Sequence, residues 1–294
     1  FRYLASAFGS ALIPSIYSTV DMAMVGQYHG PAGTAALAVV APVWNLIYSL
    51  GLLMGIGGSV LFGISRGKAG GQTGQSNEYF TASVIGSAIL SAAAWLTILL
   101  FDRPLLLFFG ADASTLGLAM DYILPVKFVI PCFLFTQTLA AYLRNDGNPG
   151  LATAAVLTGG IFNIFGDYFF VFACDMGATG AGLATAIGSV ISILVMLSHF
   201  FSRKNTLRLV RPTGLLHKFR MILVTGFSTF FIDIAMGVLT ILFNRQIMAY
   251  LGTDALSVYG VIVNISTFVQ CCAYSVGQAS QPIISLWPHG HRLL

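Results

Sequence analysis

Polar and apolar positions along this chain fall into long, unbroken apolar runs separated by short clusters of charge, Gly and Pro. Cutting at those clusters leaves runs at roughly 4–27, 35–65, 79–101, 117–143, 151–173, 180–201, 219–244 and 255–286. About 20 apolar residues are enough for a helix to cross the hydrocarbon core, so each run predicts one transmembrane helix. A membrane barrel would need segments of about ten residues with strict alternation, which these runs lack. The expected fold class is all-α and polytopic.

The polar exceptions inside the runs are the candidate chemistry. Helical spacing puts Pro14, Tyr17, Ser18 and Asp21 on one face of the first run. A charged side chain at bilayer depth costs about 2.5–3.5 kcal/mol on insertion scales and commonly lines an ion or substrate pathway, which makes Asp21 the leading candidate. The plainer reading is a satisfied acid near a helix end, because Gly26 to Gly33 reads as the loop closing that span. Asn163 and Asp167 are four apart in the fifth run, so amide and carboxylate share a face and could ligate one cation. Asp233 lies midway along the seventh run, on a stripe with Gly226, Thr229, Gly237, Thr240 and Asn244 that would line a cavity. For Asp167 and Asp233 the alternative is a helix-packing hydrogen bond, worth only about 0.6 kcal/mol in membranes. Asp121 and Lys127 read as a pair at the membrane interface.

Composition agrees with the pattern: 56% of the 294 residues are hydrophobic and 8% charged, with a mean hydropathy of +0.84, against about 25% charged in a soluble domain. The net charge of +4 could suggest a nucleic-acid partner, but the cations sit in loops and read as a topology signal. With the N-terminus inside, the cytoplasmic loops carry Arg66, Lys68, Arg144, Arg203, Lys204, Arg208, Arg211, Lys218 and Arg220, and the outer edges only Arg103 and Arg245. The basic connection from Ser202 to Lys218, broken by Pro212 and Gly214, is the natural lobe boundary. It divides the chain into 1–202 with six spans, a connection at 203–218, two spans at 219–286 and an aberrant tail at 287–294. Gly33 to Val39 resembles Gly252 to Val258, 219 residues on, as in a parallel repeat whose second copy is incomplete. Cys132, Cys174, Cys271 and Cys272 show no metal spacing and read as packing residues. His29, His199, His217, His289 and His291 all fall in loops or the tail, and no nucleophile in a span has a base beside it, so an enzyme is not expected.

Several of these stretches together resemble the multidrug and toxic compound extrusion (MATE) family. They are Val20-Asp21 followed by Met24-Val25-Gly26, Leu143-Arg144-Asn145-Asp146-Gly147-Asn148-Pro149, Asn163 to Asp167, and Gly177 to Thr185. Further on, Phe243-Asn244-Arg245, Gly277-Gln278 and Gln281-Pro282 extend the likeness in order along nearly the whole chain. The resemblance implies two six-helix lobes around a central cavity in a multi-pass plasma-membrane protein, here a six-helix N-lobe and the first two helices of the C-lobe in a truncated copy. It also implies antiport of cationic drugs or metabolites against H⁺ or Na⁺, with no other cofactor and a monomer at full length. By position, Asp21, Asn163, Asp167 and Thr185 match the family's cation and proton site. Asp233 matches a coupling or substrate acid of some branches, with Tyr17 and Asn244 expected in the cavity wall. A lipid or lipid-linked oligosaccharide flippase of the same superfamily and an inactive fragment are the alternatives. The near absence of cations inside the spans favours cationic cargo.

Overall fold

In the computed structural model the backbone is described for residues 2–68 and 74–285; the side chains of residues 2–12, 14, 68, 268, 272, 274 and 278–285 are not described. The tail expected at 287–294, and the side-chain roles expected of Pro14, Lys68, Cys272, Gln278, Gln281 and Pro282, lie outside the described residues. Eight helices follow in order: α1 (Arg2–His29), α2 (Pro31–Lys68), α3 (Gly74–Phe108), α4 (Leu116–Val126), α5 (Ile130–Asn145), α6 (Pro149–Asp167), α7 (Gly177–Leu197) and α8 (Leu215–Ser285). Six stretches of the described residues are long and apolar enough to cross a membrane. One joins α4 to α5 over Leu116–Asn145, through a 3₁₀ turn at Lys127–Val129. Pro125, lacking a backbone N–H, accounts for that tightening.

Helix α8 is two spans. Unbroken, its 71 residues would be about 105 Å long, over three times the hydrocarbon thickness. Gly252, at φ 78° and ψ −170°, breaks it in a backbone region that only glycine enters without strain. The chain turns back there, so that Asn244 before the break and Gly260 after it both reach Ala38 of α2. With α1, the helices account for all eight apolar runs.

The helices are held together by small residues as much as by large ones. A Cβ on Gly226 would stand 2.2 Å from the Leu53 carbonyl oxygen and one on Gly57 2.3 Å from that of Ile222, so α2 and α8 cross backbone to backbone. Gly159 of α6 and Gly188 of α7 meet in the same way. Around these crossings one apolar cluster gathers Val25, Val39, Ile47, Ile98 and Tyr122, and another packs Phe62 and Phe80 edge-on against Tyr142. The outer surface is apolar as well: Leu100, Phe165 and Val224 are each about 70% exposed, as expected of side chains facing lipid.

Three expectations from the sequence are corrected. Lys127 pairs with Asp102 of α3, 3.0 Å away, and not with Asp121, because the turn at Lys127–Val129 swings its side chain toward α3. Arg144 is not a loop cation; it lies in the last turn of α5 and is 5% exposed. The histidines are not all loop residues either: His29 ends α1, His217 lies in the first turn of α8, and His199 lies in a 3₁₀ turn after α7. His199 is fully buried and donates from Nε2 to Asp146 Oδ2 at 2.8 Å, while its Nδ1 accepts from Asn148. Arg66 and Thr206 complete the Asp146 shell. The basic connection is also fastened to α3, through Asn77 to Thr206 and through the Glu78 ion pair with Lys218 at 2.9 Å.

Candidate functional site

Helices α1, α4, α6 and α7 converge because α7 is stripped of bulk on its inner side. A Cβ on Gly182 would lie 2.0 Å from the Tyr122 carbonyl oxygen, and Ala184 sits where Gly166 leaves room. This close approach brings five polar side chains from distant parts of the chain into one buried cluster. Asp21 Oδ2 accepts hydrogen bonds from the Tyr122 hydroxyl at 2.9 Å and the Thr185 hydroxyl at 3.0 Å. Thr185 Oγ1 in turn accepts from Asn163 Nδ2 at 2.9 Å. Asp167, fully buried at the end of α6, faces Asp21 closely enough for the two carboxyl groups to interact directly. The backbone widens to a π-helix immediately after it, at Tyr168–Ala173, an irregularity often found at functional sites.

What the cluster leaves over is acceptor capacity. Asp21 Oδ1, Asn163 Oδ1 and both oxygens of Asp167 are buried with no hydrogen-bond donor among the described residues. Polar atoms in that condition are expensive, and two neighbouring carboxyl groups need a proton or a cation between them. Four oxygens, two of them on one carboxylate, suit a hard monovalent cation or a proton equally. The residues present therefore fit a coupling ion.

The cluster is also a partition between two cavities. On one side, a space of about 50 Å³ is lined by Tyr17, Asn163 and Thr185 and runs toward Tyr48 and Arg144. On the other, a space of about 60 Å³ between α1, α2, α4 and α8 is lined by Ser18, Asp21 and Asn244 together with the aromatic rings of Trp44, Tyr122 and Tyr259. The polar face of the first span thus splits, Tyr17 opening on one cavity and Ser18 and Asp21 on the other. Asn244 is fully buried, donating to the Ala38 carbonyl at 2.9 Å while its Oδ1 has no donor among the described residues. Asp233 is half-buried and lines neither cavity; its electrostatic neighbour is Tyr48, whose ring faces the first.

Of the residues expected at the site, the structure brings together Asp21, Asn163, Asp167 and Thr185, places Tyr17 and Asn244 in adjoining walls, and leaves Asp233 aside. The sequence reading missed Tyr122, Trp44 and Asn264. Asn264 of α8 accepts from the Ser18 hydroxyl at 3.2 Å. Tyr122 carried one usable signal, a hydroxyl in an apolar run that must find a partner once buried. For Trp44 and Asn264 only the pairing of distant helices makes them visible.

Known proteins resemble this chain in sequence and fold along most of its length. The multidrug export protein MepA of Staphylococcus saprophyticus is 26% identical over 285 residues, covering 94% of this chain and 61% of that protein. MepA of Staphylococcus aureus strain MSSA476 is 24% identical over 282 residues, covering 93% and 60%. The chain thus spans about three fifths of the length of these curated relatives. Among solved structures, the MATE multidrug transporter DinF-BH superposes with a TM-score of 0.88 at 24% identity, over 97% of this chain and 64% of that one. An outward-facing MATE transporter superposes with a TM-score of 0.79 at 20% identity, over 97% and 64%. The sequence profile of the MatE family matches residues 6–169, more than half of the chain. A multi-pass helical membrane protein with a buried polar cluster at the meeting of four helices, related to multidrug exporters along almost its whole length, this chain belongs to the MatE family.

Proposed function

We propose that the chain forms the ion-coupling part of a plasma-membrane antiporter that exports cationic drugs or metabolites in exchange for H⁺ or Na⁺. The observation that carries this reading is the shared position of Asp21: one face of its carboxyl group belongs to the acceptor-rich cluster with Asn163, Asp167 and Thr185, and the other opens on an aromatic cavity. A carboxylate ringed by Trp44, Tyr122 and Tyr259 suits an organic cation, attracted by both the charge and the ring faces. A proton or Na⁺ held among the cluster oxygens neutralises that carboxylate, and a cation in the cavity then loses its counter-charge. Competition for one carboxylate is the simplest coupling device these side chains can make. Asp233, beside Tyr48, is placed to influence the first cavity and not the ion cluster. No chemistry is performed on the cargo; Asp21 and Asp167 bind and release.

Two measurements test this. Infrared difference spectra of the purified chain should show a carboxyl band responding to Na⁺ or to pH between about 5 and 9, and Asp21→Asn or Asp167→Asn should each abolish it. In membrane vesicles, the corresponding asparagine variants of a full-length relative should lose ion-driven efflux of a cationic dye at least tenfold with the protein still inserted. A carboxyl spectrum indifferent to both ions, or full efflux in both variants, would remove the coupling role.

A further inference from the structure

The first cavity ends at a buried cation that the coupling scheme does not use. Arg144 is 5% exposed and lines this cavity from the last turn of α5. A guanidinium stays charged in proteins, and a buried charge without a counter-ion is costly. Arg144 nevertheless has no carboxylate within ion-pair distance among the described residues. Asp146, two residues on, is committed to Arg66, His199 and Thr206, and no Asp or Glu lines the cavity, Asp233 and Asp21 acting on it only from behind Tyr48 and Tyr17. Three further donors share the wall: the hydroxyls of Tyr17 and Tyr48 and the amide of Gln137. None of the three, nor Arg144, makes a hydrogen bond to another described residue.

We infer that this end of the cavity is an anion site, taking a small monovalent anion such as chloride or a short carboxylate. The donor inventory is one-sided: five N–H groups on Arg144, two on Gln137 and one hydroxyl on each tyrosine, with few free acceptors facing them. The other polar groups of the wall are engaged elsewhere, Thr136, Ser189 and Ser192 donating to backbone carbonyls and Asn163 to Thr185. About 50 Å³ holds one small anion with a water or two and nothing as large as a drug. The bound anion neutralises Arg144 and hydrogen-bonds the tyrosine hydroxyls. The same cavity thus borders the oxygen-rich cluster at Asn163 and Thr185 and ends in donors at Arg144.

The test uses the purified 294-residue chain in nanodiscs and needs no transport, so its outcome is independent of the ion coupling proposed above. Line broadening of the chloride-35 NMR signal should be saturable and should be reversed by formate. Arg144→Gln should weaken chloride binding at least tenfold, and Tyr48→Phe by a smaller factor. Absence of saturable broadening in the unmodified chain overturns the site, as does undiminished binding in a monodisperse Arg144→Gln protein. If Arg144→Gln cannot be obtained folded, Gln137→Leu and Tyr48→Phe, which keep the charge, decide: weaker binding in either supports the site, and unchanged binding in both removes it.

Discussion

Tyr122 shows how much one hydroxyl can govern. It is one of only two described groups that donate to Asp21 Oδ2, the other being Thr185, and its ring also walls the inter-helix cavity. A hydrogen bond to a charged group is worth about 1.5–3 kcal/mol. Tyr122→Phe should therefore shift the Na⁺ or proton dependence of the carboxyl spectrum by roughly tenfold or more in ion concentration, while leaving the fold intact because the ring remains. An unshifted titration would mean that Thr185 alone holds Asp21. At the turn before α4, Asp112 offers a separate reading of pH. Partial burial pushes its carboxyl up, but hydrogen bonds from the hydroxyls and backbone N–H groups of Ser114 and Thr115 outweigh this and hold it below the ordinary carboxylate value. A depressed value means the turn is stabilised above about pH 4 and loses that contribution as pH falls through the folded-state value. Asp112→Asn should lower the melting temperature at pH 7 and converge with the unmodified chain under acid. Part of this residue-level chemistry was legible in sequence where an acid or amide interrupted an apolar run, as at Asp21, Asn163 and Asp167, although the amides of Asn264 and Gln137 were passed over. Tyr122 and Arg144 were not, since a tyrosine is at home in such a run and an arginine at its edge resembles a loop cation.

At the scale of elements, the apolar runs located every helix, because burying backbone polar groups in lipid leaves little besides a helix to form. Their ends were less visible. Helices extend several residues beyond the runs, as in α3, which continues to Phe108 past a kink at Phe101. Pro104 explains that kink, since its ring crowds the carbonyl four residues before it. Pairing between helices was the least legible feature, because it depends on which glycines face a neighbour. Gly182 is the sharpest case. Gly182→Leu should push α7 away from α4, pull Thr185 off Asp21, and lower both the melting temperature and the ion response of the carboxyl band. Leucine at Gly117, where a Cβ meets nothing within 4 Å, is the matched control and should be silent.

For the whole molecule, we propose from the cations of the connecting segments that the N-terminus is inside. Ser114 and Arg208 are exposed and belong to opposite sides under that reading. Ser114→Cys should react with an impermeant thiol reagent in intact cells, and Arg208→Cys only after permeabilisation; the reverse pattern would invert the topology. The Leu207 position, beside it in sequence, is buried and would be uninformative either way.

The crossing of Gly57 and Gly226 has a mechanical consequence. Two backbones in direct contact at the glycines leave the interlocked side chains, Leu53 and Met54 against Ile222, to one side of the crossing, so that a tilt of α8 on α2 would pivot at this point. Eighteen residues of helix separate Gly226 from Asn244, which at the standard rise makes a lever arm of about 27 Å. A tilt of about 10° at the fulcrum would carry Asn244 roughly 5 Å along the wall it shares with Asp21, comparable to the width of a helix backbone. The smallest residues in the chain would then set the largest displacement, and a methyl group added at either glycine, 2.2–2.3 Å from the opposing carbonyl oxygen, would pry the pivot apart.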